Sequence, residues 1–281
     1  YGKPKMRVRA DGSWEKWEYD RFGREKSHIT PWKDSPSESG IAEAKAHHSR
    51  ERHLDIDEAF FHPDARLTEN WTTILGVTTS RNYQVASYAR DGSRISIREQ
   101  AHSAEARYGD AKNLRTISYY YPKSDDEAVS QKLRQTINPD STTTTFAYQR
   151  GDYLGLEAVP GDFAENPTGN ELLTERISGT LDHPNGLPGQ STKTVTIANI
   201  YGKTLLQQTL ALTSEDYEEV GWTANGYDEL GRRTISRNET GVIGEWRYSP
   251  CCNKVEWERD AEGNVTTYDY DEFGRVLMRT E

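Results

Sequence analysis

Histidine and acidic residues crowd one short window of the chain, which is the first place to look for metal chemistry. The window holds four histidines (His47, His48, His53 and His62), which lie beside Asp55, Asp57 and Glu58. A zinc site needs three or four ligands that converge at tetrahedral distances. His48 and His53 lie five residues apart, a spacing that matches neither the i, i+4 repeat of a helix nor the i, i+2 repeat of a strand. The window is therefore interpreted as a solvated polar segment, and no metal ligand is predicted.

Three other features resemble catalytic signatures, and each is incomplete. Gly202-Lys203-Thr204 is like the tail of a phosphate-binding loop, but the earlier glycine would fall at a position that holds Ile197. Cys251 and Cys252 are adjacent, so they can bridge only through a strained ring, and no activating histidine is evident near them. Carboxylates are so abundant that a glycosidase pair can be nominated anywhere. We therefore expect no catalytic residue and no cofactor, and a polysaccharide-active enzyme is the least favoured interpretation.

Charge and composition restrict the class of protein further. The formal net charge is −10 over 281 residues, and nucleic-acid binding needs a basic footprint that this chain lacks. No stretch approaches the roughly 18 apolar residues of a transmembrane helix. Hydrophobic residues make up only 33% of the chain, yet 16 Tyr and 7 Trp are present. A composition poor in aliphatic residues but rich in Tyr and Trp is typical of thin sheets that pack one face and expose the other to solvent.

A six-residue motif of the form Tyr-Asp-x-x-Gly-Arg occurs three times. The matching units are Tyr19-Asp20-Arg21-Phe22-Gly23-Arg24, Tyr227-Asp228-Glu229-Leu230-Gly231-Arg232 and Tyr270-Asp271-Glu272-Phe273-Gly274-Arg275. A divergent copy, with Tyr248 in the tyrosine position, lies between the last two, so that the tyrosines are 21 and 22 residues apart. A period near 20 residues predicts one supersecondary unit of two short strands and two turns.

The residue types within the motif predict a β-hairpin. Tyr268 and Tyr270 are two apart, so both side chains project from one face of a strand. Gly274 is free to take the positive φ of a tight turn, and residues 275–279 return as the partner strand. The motif aspartates are expected to accept hydrogen bonds from turn N–H groups. The motif arginines are expected to reach an acid on a neighbouring strand or to stack on a tyrosine ring.

The remaining sequence predicts more antiparallel strands and three long loops. Alternating or threonine-rich patterns favour strands at 94–98, 114–119, 142–148 and 193–197. Loop insertions are predicted near 31–50, 151–170 and 182–190, and Ile41–Ala46 is as compatible with a short helix as with loop. The predicted fold is therefore all-β, an antiparallel hairpin strip of solenoid or shell type. It forms one continuous region over 1–281, with the clearest repeats at 14–30 and 222–281.

The Tyr-Asp-x-x-Gly-Arg units resemble the YD repeats of the RHS (rearrangement hotspot) family. The turn with its threonine run at 138–148 and the Cys251-Cys252 pair also resemble bacterial members. The resemblance implies a strip of β-hairpins that spirals into a hollow shell, which encloses a cargo in toxin complexes and serves adhesion in teneurins. The family's C-terminal plug has no counterpart in this sequence. The resemblance therefore implies a shell or scaffold, and the chain is expected to be a fragment of a longer one.

Three functions follow in order of preference. The first is a non-catalytic scaffold, a segment of shell or of an extracellular, cell-surface fibre of a secreted bacterial protein. Its expected partners are further YD-repeat segments or identical copies, with glycans or an enclosed toxin cargo as alternatives. The second is a carbohydrate-binding or adhesion module that stacks sugars on surface Trp and Tyr. Its candidate tryptophans, which the sequence favours more as filling the packed face of the strip, are Trp14, Trp17, Trp222, Trp246 and Trp257. The third is the polysaccharide-active enzyme.

Overall fold

The fold is all-β, as the sequence predicts. The computed structural model describes residues 2–54, 65–88, 92–155, 158–214, 216–249 and 253–281. Every strand pairing in these ranges is antiparallel, and a 3₁₀ turn at Ile41–Glu43 is their one helical element. The chain divides into two compact units, unit 1 (residues 1–123 and 131–141) and unit 2 (residues 124–130 and 142–281). That the whole chain forms one continuous region stays a prediction.

Unit 1 is a meander in which each strand pairs with the next one along the chain. Its nine strands within the described residues are β1 (Met6–Val8), β2 (Trp14–Tyr19), β3 (Glu25–Thr30), β4 (Lys45–His53), β5 (Arg66–Ile74), β6 (Val77–Tyr88), β7 (Arg94–Gln100), β8 (Leu114–Tyr120) and β9 (Leu133–Ile137). Strands of this kind show alternate side chains on opposite faces, so each strand gives one set of residues to each face.

One face of unit 1 is packed, and loops of the same unit cover it. Leu67, Tyr83, Val85, Ile95 and Ile97 form one buried cluster on β5, β6 and β7. The connection 101–113 lies over this cluster. A second cluster is centred on a tryptophan of β2 and is covered by the connection 31–44. Its members are Trp14, Ile29, Ala44 and Ala46. Each large apolar side chain buried in this way contributes about 1.5–3 kcal/mol relative to an exposed one.

Buried carboxylates share the packed face with the apolar clusters. Glu99 has a fully buried side chain that accepts from Arg115 Nε at 2.8 Å, Asn113 Nδ2 at 2.5 Å and the backbone N–H of Gly109 at 2.8 Å. Glu69 is held by Arg81 at 2.6 Å and by a second arginine of β4. A buried charge requires such partners, because leaving it unpaired is strongly unfavourable. The bonds of Glu99 to Gly109 and Asn113 fasten the 101–113 connection to the sheet.

Unit 2 is a second meander with one short side branch. Its strands within the described residues are β10 (Thr142–Tyr153), β11 (Phe163–Glu165), β12 (Glu171–Thr180), β13 (Thr192–Asn199), β14 (Thr204–Leu212), β15 (Tyr217–Tyr227), β16 (Arg233–Asn238), β17 (Gly241–Tyr248), β18 (Val255–Asp260), β19 (Val265–Tyr270) and β20 (Val276–Thr280). Strand β10 pairs with both β11 and β12, and from β12 to β20 each strand pairs with the next.

The core of unit 2 is small and lies towards its first strands. Ile197, Leu206 and Ala224 occupy neighbouring strands and pack with Ala158 of the connection between β10 and β11. Trp222 and Phe163 close the edges of this cluster. Towards the C-terminal end most apolar side chains are exposed, as on β20, where Leu277 is 69% exposed. The hairpins of this end are held mainly by hydrogen bonds rather than by a core.

Two loop predictions were too long, and the helix alternative was wrong. Residues 41–43 form only the 3₁₀ turn, and β4 begins at Lys45, well inside the loop predicted near 31–50. The reason is that Ala44 and Ala46 both project onto the packed face and fill the space beside Trp14. A segment whose only apolar residues on that face are alanines does not reveal this packing. The loop predicted near 151–170 contains the end of β10 and all of β11. Residues 182–190 carry no strand.

We predict that Glu99→Ala lowers the free energy of unfolding by about 3 kcal/mol, because it leaves the Arg115 guanidinium and two N–H donors without an acceptor. The measurement is urea denaturation. Glu105→Ala is the matched control, since Glu105 is an exposed acid of the same connection and has no side-chain partner in the described structure. A loss of similar size in the two variants would contradict the prediction.

Candidate functional site

The repeated motif closes a hairpin through one carboxylate. In the first copy, Asp20 Oδ1 accepts from the backbone N–H groups of Phe22 at 2.8 Å and Arg24 at 2.9 Å, while Oδ2 accepts from Arg24 Nε at 2.7 Å. The backbone closes the same loop, because Asp20 N donates to Arg24 O and Gly23 N donates to Asp20 O. We call this five-residue arrangement, from the aspartate to the arginine, the YD turn.

The other two copies repeat this geometry closely. Asp228 accepts from Leu230 N at 3.0 Å, Arg232 N at 2.9 Å and Arg232 Nε at 2.7 Å. Asp271 accepts from its equivalent donors at 2.9, 2.8 and 2.6 Å. The three glycines have φ of 75°, 72° and 74°, the left-handed region that other residues rarely adopt. The three matching hexapeptides therefore adopt one conformation.

These bonds favour the charged form of each carboxyl group. The pKa of Asp20 lies below its ordinary value, first because the backbone N–H of Arg24 donates to it and then because the Arg24 side chain does. The pKa of Asp228 is lowered chiefly by the side-chain bond from Arg232. The pKa of Asp271 is lowered chiefly by the backbone N–H of Arg275. The carboxylates are thus held ionised as acceptors, which suits a structural role and does not suit a proton donor.

The motif arginines make second contacts beyond their own turn. Arg24 forms an ion pair with Glu51 of β4. Arg232 lies 4.6 Å from the centroid of the Tyr248 ring and donates to Asn253 Oδ1 at 2.9 Å. Arg275 lies 5.3 Å from the Phe273 ring within its own turn. In the first two copies the arginine therefore connects one hairpin to its neighbour.

The motif tyrosines share a contact that sequence reasoning missed. Each hydroxyl donates to a backbone carbonyl at the start of the strand that precedes its own or, for Tyr19, two residues before that start. The four bonds are Tyr19 to Pro4 O at 2.9 Å, Tyr227 to Thr204 O at 3.0 Å, Tyr248 to Arg233 O at 3.0 Å and Tyr270 to Val255 O at 2.7 Å. The divergent copy takes part, because Tyr248 occupies the same place at the end of its strand. We call this bond the tyrosine latch.

Two further turns use the same backbone without the full motif. Asn199 Oδ1 accepts from Tyr201 N and Lys203 N, both at 3.0 Å, and Gly202 has a φ of 72°. Gly202 and Lys203, which resemble the end of a phosphate-binding loop in the sequence, therefore form part of a turn. Asp260 accepts from Asn264 N and Asn264 Nδ2, both at 2.8 Å. The sequence signal common to all five turns is Asp or Asn three residues before glycine.

The five tryptophans proposed for sugar stacking do not form a common platform. Trp14 is only 2% exposed and donates to Ser35 O, so it is a core residue and offers no stacking surface. Trp17 projects from the opposite face of β2 and stacks on His28 at 5.2 Å. Trp222 packs on the unit 2 core. Trp246 and Trp257 lie on opposite faces of neighbouring strands, because the register pairs Trp257 with Arg247.

The histidine window does not converge on one point. His48 is buried between Ser27 and Thr73, whose hydroxyls lie 3.1 and 3.0 Å from its two ring nitrogens. Burial lowers its pKa. His47 faces the opposite side of β4, beside Thr72. Among the described residues no cluster of His, Cys, Asp and Glu could hold a metal ion. His62, Asp55, Asp57, Glu58, Cys251 and Cys252 lie outside the described residues.

We predict that Tyr227→Phe, Tyr248→Phe and Tyr270→Phe each lower the free energy of unfolding by about 1 kcal/mol, because each removes one hydrogen bond and leaves a carbonyl short of a donor. The measurement is urea denaturation. Tyr201→Phe serves as the control, because Tyr201 is an exposed turn residue whose hydroxyl bonds to no other described residue. Latch variants that match the wild type would contradict the prediction.

We predict that Asp228→Asn weakens the chain at neutral pH and that this deficit disappears in acid. The asparagine keeps the two backbone bonds, as Asn199 does, but loses the ion pair with Arg232. Because the folded pKa of Asp228 is depressed, its contribution is present above the unfolded value near 4 and is lost as pH falls through the folded value. Urea midpoints measured between about pH 7 and pH 2 test this. Glu229→Gln should keep the wild-type profile, and a deficit that persists in acid would refute the assignment.

Comparison with known proteins finds one family model that matches part of this chain. Residues 255–281, which span β18 to β20 and the third YD turn, match the family model described as RHS Repeat. No curated protein matches. Among solved structures the chain is similar to the crystal structure of TcdB2-TccC3, at 13% identity and a TM-score of 0.20, over 95% of this chain and 17% of that one. A score this low does not define a common fold, and the chain spans less than a fifth of that protein. The match to the RHS Repeat model thus covers the third YD turn, whose geometry the turns at Asp20 and Asp228 repeat.

Proposed function

We propose that the chain is a structural scaffold, a segment of an RHS-type shell or of an extracellular fibre, and that it does not catalyse a reaction. The observation that carries this proposal is the repeated set of bonds at successive hairpins. In each copy the aspartate closes its own turn and the tyrosine fastens the hairpin to the preceding strand. These contacts engage the motif aspartates and tyrosines in bonds that hold the hairpins together.

The partners follow from the same geometry. A hairpin that is latched to its predecessor is a unit that can be added repeatedly to a strip. We propose that this strip pairs with further YD-repeat segments of the same longer chain or with identical copies. As part of the same proposal, the strip forms a wall that either encloses a cargo or is displayed at the surface of a secreting cell. Among the described residues no helix is both long enough and apolar enough to cross a membrane.

A sugar-binding module based on the tryptophans receives less support. Such a module would present its aromatic rings together on one open surface. Trp14 is buried, and the three tryptophans of unit 2 are divided between its two faces. Within unit 2 only Trp246 shares a face with the latch tyrosines, and Arg233 already covers its ring at 4.3 Å. A scaffold accounts for these side chains without a ligand.

The test is electron microscopy of the native material, together with the same preparation carrying Tyr227→Phe, Tyr248→Phe and Tyr270→Phe. We expect walls or fibres in the wild type and their loss or fraying in the triple variant, because the latches hold successive hairpins together. Tyr201→Phe should leave the assemblies unchanged. Isolated monomers that turn over a polysaccharide would refute the scaffold.

A further inference from the structure

A groove beside the first YD turn has no place in the scaffold role. Its volume is about 590 Å³, and it is lined by that turn and by residues of β3, β4 and β5. Small-molecule sites commonly have volumes of roughly 300–1,000 Å³. The lining combines two aromatic residues with four bases: Phe22, Trp71, Arg21, Arg24, Lys26 and Arg50. Rings and bases on one groove are the side chains that recognise an aromatic anion.

The three copies of the YD turn differ at the two positions between the aspartate and the glycine. The second copy has Glu229-Leu230 there, and the third has Glu272-Phe273. The first copy has Arg21-Phe22, so that a base replaces the acid of the other two. Because the three turns make the same bonds, the turn itself does not require a base at this position. Arg21 is therefore free to serve a ligand.

Two of the four lining bases are already engaged by acids. Arg24 forms ion pairs with Asp20 and Glu51. Arg50 forms an ion pair with Glu69, a buried carboxylate of β5. These bonds hold both guanidinium groups in fixed places, so that they can contribute a flat surface to the groove.

The other two lining bases are open. Arg21 and Lys26 are exposed, and neither forms a hydrogen bond or ion pair within the described structure. Glu25 is the one lining acid in the same condition. Two open bases against one open acid leave the groove with a surplus of one positive charge, in a chain whose net charge is −10. The groove is therefore a local exception that favours an anion.

Guanidinium groups lie against the aromatic rings of this groove. The Phe22 ring is contacted by Arg21 at 4.7 Å and by Arg24 at 5.4 Å, yet Phe22 remains 68% exposed. Arg50 lies 5.9 Å from the Trp71 ring. A guanidinium that stacks on one ring can accept a second ring on its free side, while its N–H edge pairs with an anion.

We propose that this groove binds a nucleoside monophosphate, a planar aromatic base that carries one phosphate. Arg21 and Lys26 donate to the phosphate oxygens, and the base stacks on Phe22 and the guanidinium groups beside it. Two open bases match the charge of a single phosphate. A nucleic-acid strand would need a longer basic footprint than two bases provide, so a single nucleotide is the ligand that fits.

The experiment is isothermal titration of the full chain with AMP at low salt. Adenosine and ribose 5-phosphate are the comparison ligands, because each lacks one half of the nucleotide. We expect saturable binding of AMP that is about tenfold tighter than the binding of either half, since each half gives up a phosphate contact or a stacking contact.

Two variants borrow their residues from the second copy of the turn, so that the YD turn is kept. Arg21→Glu should weaken the binding of AMP and of ribose 5-phosphate about tenfold, because it removes a phosphate donor. Phe22→Leu should weaken the binding of AMP about tenfold, because it removes the stacking ring. It should leave the binding of ribose 5-phosphate unchanged.

The control is Arg107→Glu, which makes the same change of charge at an exposed arginine of the connection 101–113. It should bind AMP like the wild type, and all three variants should keep the wild-type urea midpoint. Absence of saturable AMP binding, equal affinity for adenosine or ribose 5-phosphate, or an equal loss in Arg107→Glu would overturn the proposal. The inference does not rest on the scaffold role, because the latches of unit 2 are unchanged in these variants.

Discussion

Backbone N–H groups at the tip of a short hairpin have no partner strand, and in this protein a side-chain carboxylate supplies their acceptor. Asp20, Asp228 and Asp271 each accept two such groups and then hold the arginine that follows the glycine. The turn fixes the register of its two strands, and the register decides which residues reach each face. Alternation, packing and the placement of the tyrosine hydroxyls all depend on this closed loop.

The two ends of the chain solve the problem of stability differently. Unit 1 covers one face with its own connections and places buried ion pairs among apolar clusters, so that Glu99 fastens a loop while Leu67 and Val85 exclude water. The C-terminal hairpins of unit 2 have few buried apolar side chains, as on β20. There the hydrogen bonds of the YD turns and tyrosine latches contribute a larger part of the stability. These bonds explain how a sequence with 33% hydrophobic residues maintains an ordered sheet.

Local patterns were enough to predict the motif turns and several strands, whereas the long-range contacts could not be predicted. The period of 21 to 22 residues and the turn glycines predicted the hairpins, because both signals are written within a few residues. The acceptors of the latch tyrosines could not be predicted from the sequence. In three of four cases the acceptor lies 15 residues upstream, and which carbonyl faces the hydroxyl depends on the strand register. The cover of Trp14 could not be predicted either, because the connection 31–44 has no apolar pattern. The pairing of Glu99 with Arg115 and Asn113 was equally invisible.

The acceptors of the latches are main-chain atoms, and this has an evolutionary consequence. They belong to Pro4, Thr204, Arg233 and Val255, four residue types with nothing in common except a carbonyl group. A hairpin that joins its neighbour through such an atom demands no matching side chain there. Hairpin repeats can therefore be duplicated, deleted or recombined between genes without compensating substitutions. The number of repeats can change while the hydrogen bonds between neighbouring hairpins are kept.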